Sequence, residues 1–374
     1  MLDGMRGLAI LLVVVFHTFY TNSASGKIAR FVGDLIFSGW MGVPIFFVLS
    51  GFLIARPFLQ SRSLDPQFWY TRGYALRRIS KILPPFYLSI AIFSVFYWER
   101  FHDTIYLHAA WLWAVGFESY VIPLTNFNLS YWSLMVEAHF YALLPLLFFL
   151  TRGLNLKNTL LVVVSAMLII PFFLRQISWP HGLAVLPDNQ TGQEIHFFID
   201  RFPLCLLDYF AFGVAFAGLY VAAKPRLSNC RKLAMFGYAG VALLAFTLCL
   251  FACVMKQEDI LTHPRLWTRE TFGYLPSISG FLMLFFLFDP QCIGARIFSM
   301  AWLRFIGIVS YEWFLFHGPM VDWFRHIFGH TNGSPWLFIC KTVLPLALSF
   351  GFSVLIYYWF SLPILNKVRD RLKS

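Results

Sequence analysis

The sequence predicts an all-α fold: a polytopic transmembrane helix bundle of about ten spans. Three observations predict it: the composition, the length of the apolar stretches, and the distribution of basic residues along the chain. Of 374 residues, 59% are hydrophobic, 20% aromatic and only 13% charged. A soluble domain carries about 25% charged residues, so a chain this poor in charge has its solvent in the bilayer.

Stretches long enough to cross roughly 30 Å of hydrocarbon as helix run, in order, over residues 8–21, 35–59, 82–98, 131–150, 159–174, 203–222, 234–255, 272–288, 302–320 and 337–365. The first follows Leu2-Asp3-Gly4-Met5-Arg6-Gly7, and the second carries the small pair Ser50-Gly51. The third is preceded by the basic run Arg77-Arg78 and Lys81, and the fourth opens on Tyr131-Trp132-Ser133. Ile105 to Phe117, about 13 residues rich in tryptophan, is short for a crossing and suits an interfacial segment. It is expected to be re-entrant or to lie on the lipid surface.

Charge decides the orientation. With ten spans and a cytoplasmic N-terminus, eighteen lysines and arginines fall on inside segments and nine on outside ones. Making Ile105 to Phe117 a full crossing inverts everything after it and exports the Lys224, Arg226, Arg231 and Lys232 cluster. The positive-inside rule therefore places both termini in the cytoplasm.

Other classes fit less well. The formal net charge is +11, but the basic residues line loop edges, where they serve topology and anionic lipid contact, and no nucleic-acid module is recognisable. Six cysteines lack metal-ligand spacing; Cys249 and Cys253 share a helical face but sit in an apolar helix, where thiols are ordinary core residues. No metal site is expected. The first apolar run continues into Lys27 and Arg30 without a small-residue cleavage site, so no cleaved signal peptide is expected. Without tandem repeat, low-complexity segment or long linker, residues 1–374 read as a single membrane domain.

The first helix carries the chemistry. At about 100° per residue, the eleven steps from Arg6 to His17 make three turns and roughly 20° more, so both point to one side, with His17 about 16 Å beyond Arg6. Asp3 lies within about 40° of that side. Intramembrane ionisable groups usually face a bundle interior or an aqueous cavity and mark a functional path. The plainer reading makes Asp3 and Arg6 an interfacial pair and His17 a hydrogen-bonded core residue. A neutral histidine can accept a hydroxyl proton, and a fixed arginine can hold phosphate or carboxylate. Acid–base chemistry on a hydroxyl, beside an anionic donor, uses both.

Leu2 to Gly7 and the apolar run to His17 resemble the opening motif of the acyltransferase-3 family, membrane enzymes that O-acylate mostly bacterial envelope saccharides. The family's basic residue, ten-residue gap and histidine fall on Arg6 and His17. PIFFVLSGFLIA, from Pro44 to Ala55, is similar to its second-helix motif, where Ser50 and Gly51 allow close helix approach. RRISKILPPFYL, from Arg77 to Leu88, resembles its basic motif. Where the family has a second arginine this chain has Lys81, which keeps the charge but loses the bidentate fork; Arg77 stands beside Arg78 to compensate.

NLSYWSLMVEAHFYALLP, from Asn128 to Pro145, places Trp132, Ser133 and Glu137 on family positions. FFIDRFPLCLLDYFAFGVAFAG, from Phe197 to Gly218, matches through Arg201 and Gly213. IGIVSYEWFLFHGPMV, from Ile306 to Val321, resembles the late motif, with His317 in it and Glu312 departing from it; Glu312 is either specific to this chain or paired with Arg304.

The resemblance implies transfer of an acyl group, commonly acetyl from acetyl-CoA, to a sugar hydroxyl across the membrane. His17 is then the general base, and Arg6, Arg78 and Lys81 neutralise coenzyme phosphates or the developing thioester oxyanion. Arg78 and Lys81 equally serve to stop the third helix from sliding inward.

Glu137, with Ser133 and Tyr141 one turn to either side, orients His17, pairs with Arg6, or forms a structural ion pair. Asp3 braces Arg6. Asp208 and His317 read as buried hydrogen-bonding residues, with His317 also a candidate lining residue of the active cavity; His139 faces elsewhere. The polar loop from Ile177 to Arg201, with Trp179, Asp188, Asn189 and Gln190, suits sugar recognition or is a solvated connector. The acceptor is a saccharide, free or lipid-linked, and no nucleic acid is expected.

Two rival classes stand beside this one. A transporter or flippase for a lipid-linked sugar or small anion would use the same charges to line its path, although internal repeats and paired broken helices are missing from the sequence. A membrane acyltransferase using long-chain lipid donors shares the reaction but not the Arg6 to His17 pairing.

Overall fold

Helices are the only regular structure among the described residues of the computed structural model, which are 1–19, 27–60, 72–96, 128, 130–178, 203–227, 230–254, 266–328 and 339–372. In chain order they are α1 (Leu2–Phe19), α2 (Lys27–Phe37), a 3-10 turn (Ser38–Met41), α3 (Gly42–Gln60), α4 (Arg72–Phe96), α5 (Tyr131–Leu150) and α6 (Leu156–Ser178). After a 3-10 turn (Pro203–Leu206) come α7 (Leu207–Leu227), α8 (Arg231–Val254) and α9 (Leu266–Met283), which tightens into 3-10 geometry over Leu284–Phe288. The last helices are α10 (Ile293–Phe298), α11 (Ala301–Ile308), α12 (Ser310–Phe328), α13 (Leu344–Ile356) and α14 (Leu362–Arg371), with π-helical turns at Ile339–Val343 and Tyr357–Ser361.

Seven helical stretches among the described residues are long and apolar enough to cross a membrane: Phe31–Gln60, Gly73–Val95, Tyr131–Leu150, Leu156–Arg175, Leu204–Lys224, Arg231–Cys253 and Cys340–Arg371. Each coincides with a stretch expected from the sequence. The expected 272–288 stretch is a shorter apolar helix, Gly273–Phe288. The expected 302–320 stretch is interrupted at Val309, where α11 ends and α12 begins on Ser310-Tyr311-Glu312, residues too polar to extend an apolar run. The segment Ile105 to Phe117, the loop residues Trp179 to Arg201, and with them Asp188, Asn189 and Gln190, lie outside the described residues.

The chain forms two compact units. The first comprises Met1–Arg56 and Phe212–Val354, and the second Pro57–Ala211 and Leu355–Ser374.

Within the first unit, α1 runs closest along α11 and also meets α12 and the Ser38–Met41 turn. The glycines of its opening motif explain how. A β-carbon added at Gly7 would overlap the carbonyl oxygen of Leu303, and one added at Gly307 would overlap that of Asp3. Without lipid-excluding water to drive association, membrane helices gain by close backbone approach at small residues. Ile10 and Val14 of α1 then pack with Trp313 of α12, flanked by Leu11, Phe46 and Phe350. Gly213 of α7 serves α3 in the same way, since a β-carbon there would strike the Val48 carbonyl. That contact lets Phe52 meet the rings of Phe216 and Tyr220 edge-on at 5.7 and 5.6 Å.

Within the second unit, α5 is preceded by Asn128, whose side chain accepts from the N–H of the N-cap residue Ser130 at 3.0 Å while its carbonyl accepts from Tyr131 N–H. Such a side chain satisfies donors that a helix start leaves without partners. Tyr131 is fully buried, and its hydroxyl hydrogen-bonds Ser89 of α4. Arg175 near the end of α6 forms a fork on Asp208 at the start of α7, with N–O distances of 2.8 and 3.0 Å, and also donates to the Cys205 carbonyl. Asp208 is fully buried, which makes this bidentate, charge-assisted pairing necessary.

Candidate functional site

His17 lies in the last turn of α1 and His317 at the middle of α12. The two helices bring the rings together: His317 Nε2 is 3.1 Å from His17 Nδ1, with ring centroids 4.9 Å apart. His317 is fully buried and His17 half-buried. His317 Nδ1 lies 3.0 Å from the Trp313 carbonyl, and His17 Nδ1 lies 2.9 Å from the Val13 carbonyl.

The described contacts favour one assignment of the protons. A carbonyl oxygen only accepts, so His317 Nδ1 carries its hydrogen, and in the neutral ring Nε2 is then an acceptor. His17 Nδ1 faces two acceptors, Val13 O and His317 Nε2, and donates to them. A neutral His17 therefore holds its basic lone pair on Nε2. When that nitrogen gains a proton, Nδ1–H still donates to the second imidazole, which accepts without itself becoming charged.

The pair is held from behind. Trp313, whose carbonyl orients His317, is anchored by its indole N–H donating to Ser349 Oγ at 3.1 Å and by edge contact with Phe350 at 4.8 Å. Phe16 meets His17 edge-on at 4.8 Å. Buried polar groups of this kind cost stability unless partnered, and each imidazole is partnered by a backbone carbonyl one turn earlier.

Asp3 and Arg6 are both half-buried on α1 and form no ion pair with each other. Asp3 instead supplies the backbone carbonyl against which Gly307 sits. Glu312 is buried, while Arg304 is exposed and makes no ion pair with it, because α11 and α12 break between them.

In the second unit, a separate polar group forms around Tyr141. Its hydroxyl donates to Glu137 Oε1, one turn back on α5. Arg78 of α4 places its guanidinium 5.4 Å from the Tyr141 ring centroid and 6.0 Å from that of Tyr74. The Tyr74 hydroxyl donates to the Tyr141 carbonyl at 3.1 Å, so two tyrosines and a carboxylate frame one arginine. A guanidinium over aromatic faces is held in orientation while its N–H edge stays open to an anion.

Arg77 is exposed and Lys81 half-buried on the same helix. Ser133 is buried and donates to the Ser130 carbonyl at 3.3 Å, Trp132 is half-buried, and His139 is exposed with Nδ1 2.7 Å from the Met135 carbonyl. Among the described residues no cluster of three or more histidine, cysteine or acidic side chains could hold a metal ion.

The sequence marked His17, His317, Arg78 and Glu137, with Tyr141 one turn from Glu137, but did not single out Trp313 or Tyr74. Spacing signalled only Tyr141, four residues after Glu137.

The family described as an acyltransferase domain matches residues 1–358. The chain is 26% identical over 396 aligned positions to the peptidoglycan O-acetyltransferase OatA of Listeria monocytogenes, an alignment covering 97% of this chain and 55% of that protein. It is 24% identical over 347 positions to the O-acetyltransferase OatA of Staphylococcus aureus, covering 86% and 50%. The chain thus spans about half the length of these curated relatives. No solved structure matches it.

Proposed function

The chain belongs to the acyltransferase-3 family, and from that premise we propose that it is a membrane O-acyltransferase transferring acetyl from acetyl-CoA to a hydroxyl of an extracytoplasmic saccharide such as peptidoglycan. The observation that carries this reading is the His17–His317 hydrogen bond of 3.1 Å, which leaves the basic nitrogen of His17 at Nε2.

In the proposed step the acceptor hydroxyl gives its proton to His17 Nε2 as its oxygen attacks the thioester carbonyl. The C–O ester bond forms and the C–S bond breaks. The coenzyme leaves as thiolate and takes the proton back from the imidazolium. His317 accepts from His17 Nδ1–H throughout and so holds the ring in the tautomer the step needs. A positioned general base of this kind is worth roughly 10²- to 10⁴-fold.

Arg6 has no ion pair with Asp3 and is available to an anionic group of the donor. Arg78, framed by Tyr74 and Tyr141, is a second phosphate or oxyanion ligand, with Lys81 and Arg77 extending the positive field. Glu137 acts through Tyr141, fixing the ring that faces Arg78. The chain crosses a bacterial inner membrane about ten times with both termini in the cytoplasm, which gives the polyanionic coenzyme and the saccharide opposite faces.

Purified protein in proteoliposomes, supplied with acetyl-labelled acetyl-CoA and peptidoglycan fragments, tests the reading. The expected result is free thiol released in proportion to alkali-labile labelled ester on the glycan. Movement of a glycan across the bilayer with neither thiol nor ester would identify a flippase.

A further inference from the structure

In the first unit two cations meet a single aromatic ring, neither of them a residue assigned a role above. The Arg56 guanidinium lies 5.2 Å from the ring centroid of Tyr220, and the Lys224 ammonium lies 4.8 Å from the same centroid. The two charges are therefore within about 10 Å of each other, one Debye length at 0.1 M salt.

The ring is rigid. Tyr220 is 3% exposed and packed by Phe52, Phe216 and Phe288 at 5.6, 6.3 and 5.5 Å. One cation beside a tyrosine is a common surface contact. Two on one ring repel each other, and nothing described neutralises them. Among the described residues neither Arg56 nor Lys224 has an ion pair or a hydrogen bond, and the Arg56 Nε–H is buried without an acceptor. Asp289, which follows Phe288, accepts from the Gln291 N–H at 3.1 Å and pairs with neither cation.

A buried donor without an acceptor costs free energy, and two unneutralised cations add to it, so the arrangement fits an anion supplied from outside the chain. Arg56 is half-buried, with its Nε buried, and Lys224 is exposed. A guanidinium fork and a nearby ammonium match a phosphate group, by two parallel N–H···O bonds and a point charge.

We infer that Arg56, Tyr220 and Lys224 form a binding site for a phosphate group. The sequence places both cations on the cytoplasmic edge. Its two sources there are the phosphates of coenzyme A, an assignment that rests on the proposed donor, and the headgroup of an anionic phospholipid.

The full chain in nanodiscs tests this with two probes: coenzyme A, titrated by thermophoresis, and phosphatidylglycerol, followed as retained adducts in native mass spectrometry. The variants are Lys224→Gln, at an exposed position, the double variant R56Q/K224Q, and Arg56→Lys, which keeps the charge and loses the fork. All are compared at matched unfolding temperature. The site predicts that the double variant weakens one of the two ligands by about tenfold or more, with each single variant between.

Loss of coenzyme A affinity with lipid adducts unchanged assigns the site to the donor. Loss of lipid adducts alone assigns it to the membrane. If wild type binds no coenzyme A yet loses lipid on substitution, the site stands and the acyl-CoA donor falls. Unchanged binding of both ligands, or binding of neither by wild type, overturns the site.

Discussion

Two imidazoles three hundred residues apart in the chain share a single hydrogen-bond axis, and the catalytic account rests on the direction of that bond. Because the Trp313 and Val13 carbonyls can only accept, His317 takes the Nδ1–H of His17 in the proposed reaction and is there a positioning residue. His317→Leu is then expected to lower kcat by at least about tenfold while leaving the KM for acetyl-CoA unchanged, and His317→Gln, whose side-chain oxygen can still accept from Nδ1–H, should recover part of the loss. Steady-state kinetics on both variants check this. A general loss of folded protein would lower the yield of both alike and would not separate Gln from Leu.

The sequence made His17 legible because a histidine in an apolar helix, in phase with Arg6, is costly unless used. It left His317 ambiguous because no local pattern reports a partner so far along the chain. Of its two readings of Glu312, the pairing with Arg304 is not formed in the structure, where the chain breaks between them at Val309.

At the scale of elements, the opening motif does two jobs. In the proposed reaction its charged residues serve the chemistry, whereas its glycines set the distance between α1 and α11. The carbonyl of Asp3 rests where a Gly307 side chain would be, and that of Leu303 where one at Gly7 would be. Any side chain at either position forces the helices apart and carries His17 with α1. Gly307→Val is expected to destabilise by about 1–3 kcal/mol, the usual cost of overpacking, read as a lower unfolding temperature in detergent, with activity falling further than the loss of folded protein explains. Helix α5 shows the opposite case, in which the sequence needed no correction. Tyr131–Leu150 begins where Asn128 supplies an acceptor and ends where the apolar run meets Thr151 and Arg152. Local capping and composition decide such an element, whereas the α11–α12 break depends on tertiary contact.

For the whole molecule, hydropathy delivers the helical, membrane-spanning class, and seven of the expected crossings appear as apolar helices of spanning length. Of the other three, 8–21 falls on the continuous helix α1, which is not among those seven, 272–288 is a shorter apolar helix, and 302–320 is interrupted at Val309. The orientation rests on eighteen basic residues inside against nine outside. Reporter fusions after residues 157, 228 and 372 should all score cytoplasmic, and a fusion near residue 190 should score extracytoplasmic; extracytoplasmic scores at both 157 and 228 would demand an extra crossing between residues 98 and 131.

The central claim, that His17 takes the acceptor proton in acyl transfer, is most directly tested by mass spectrometry of envelope saccharides from cells expressing wild type or His17→Ala at equal membrane levels. The account predicts alkali-labile acyl esters with wild type and at least a hundredfold fewer with the variant, about the lower bound for a positioned general base. Equal acylation by both proteins would contradict it.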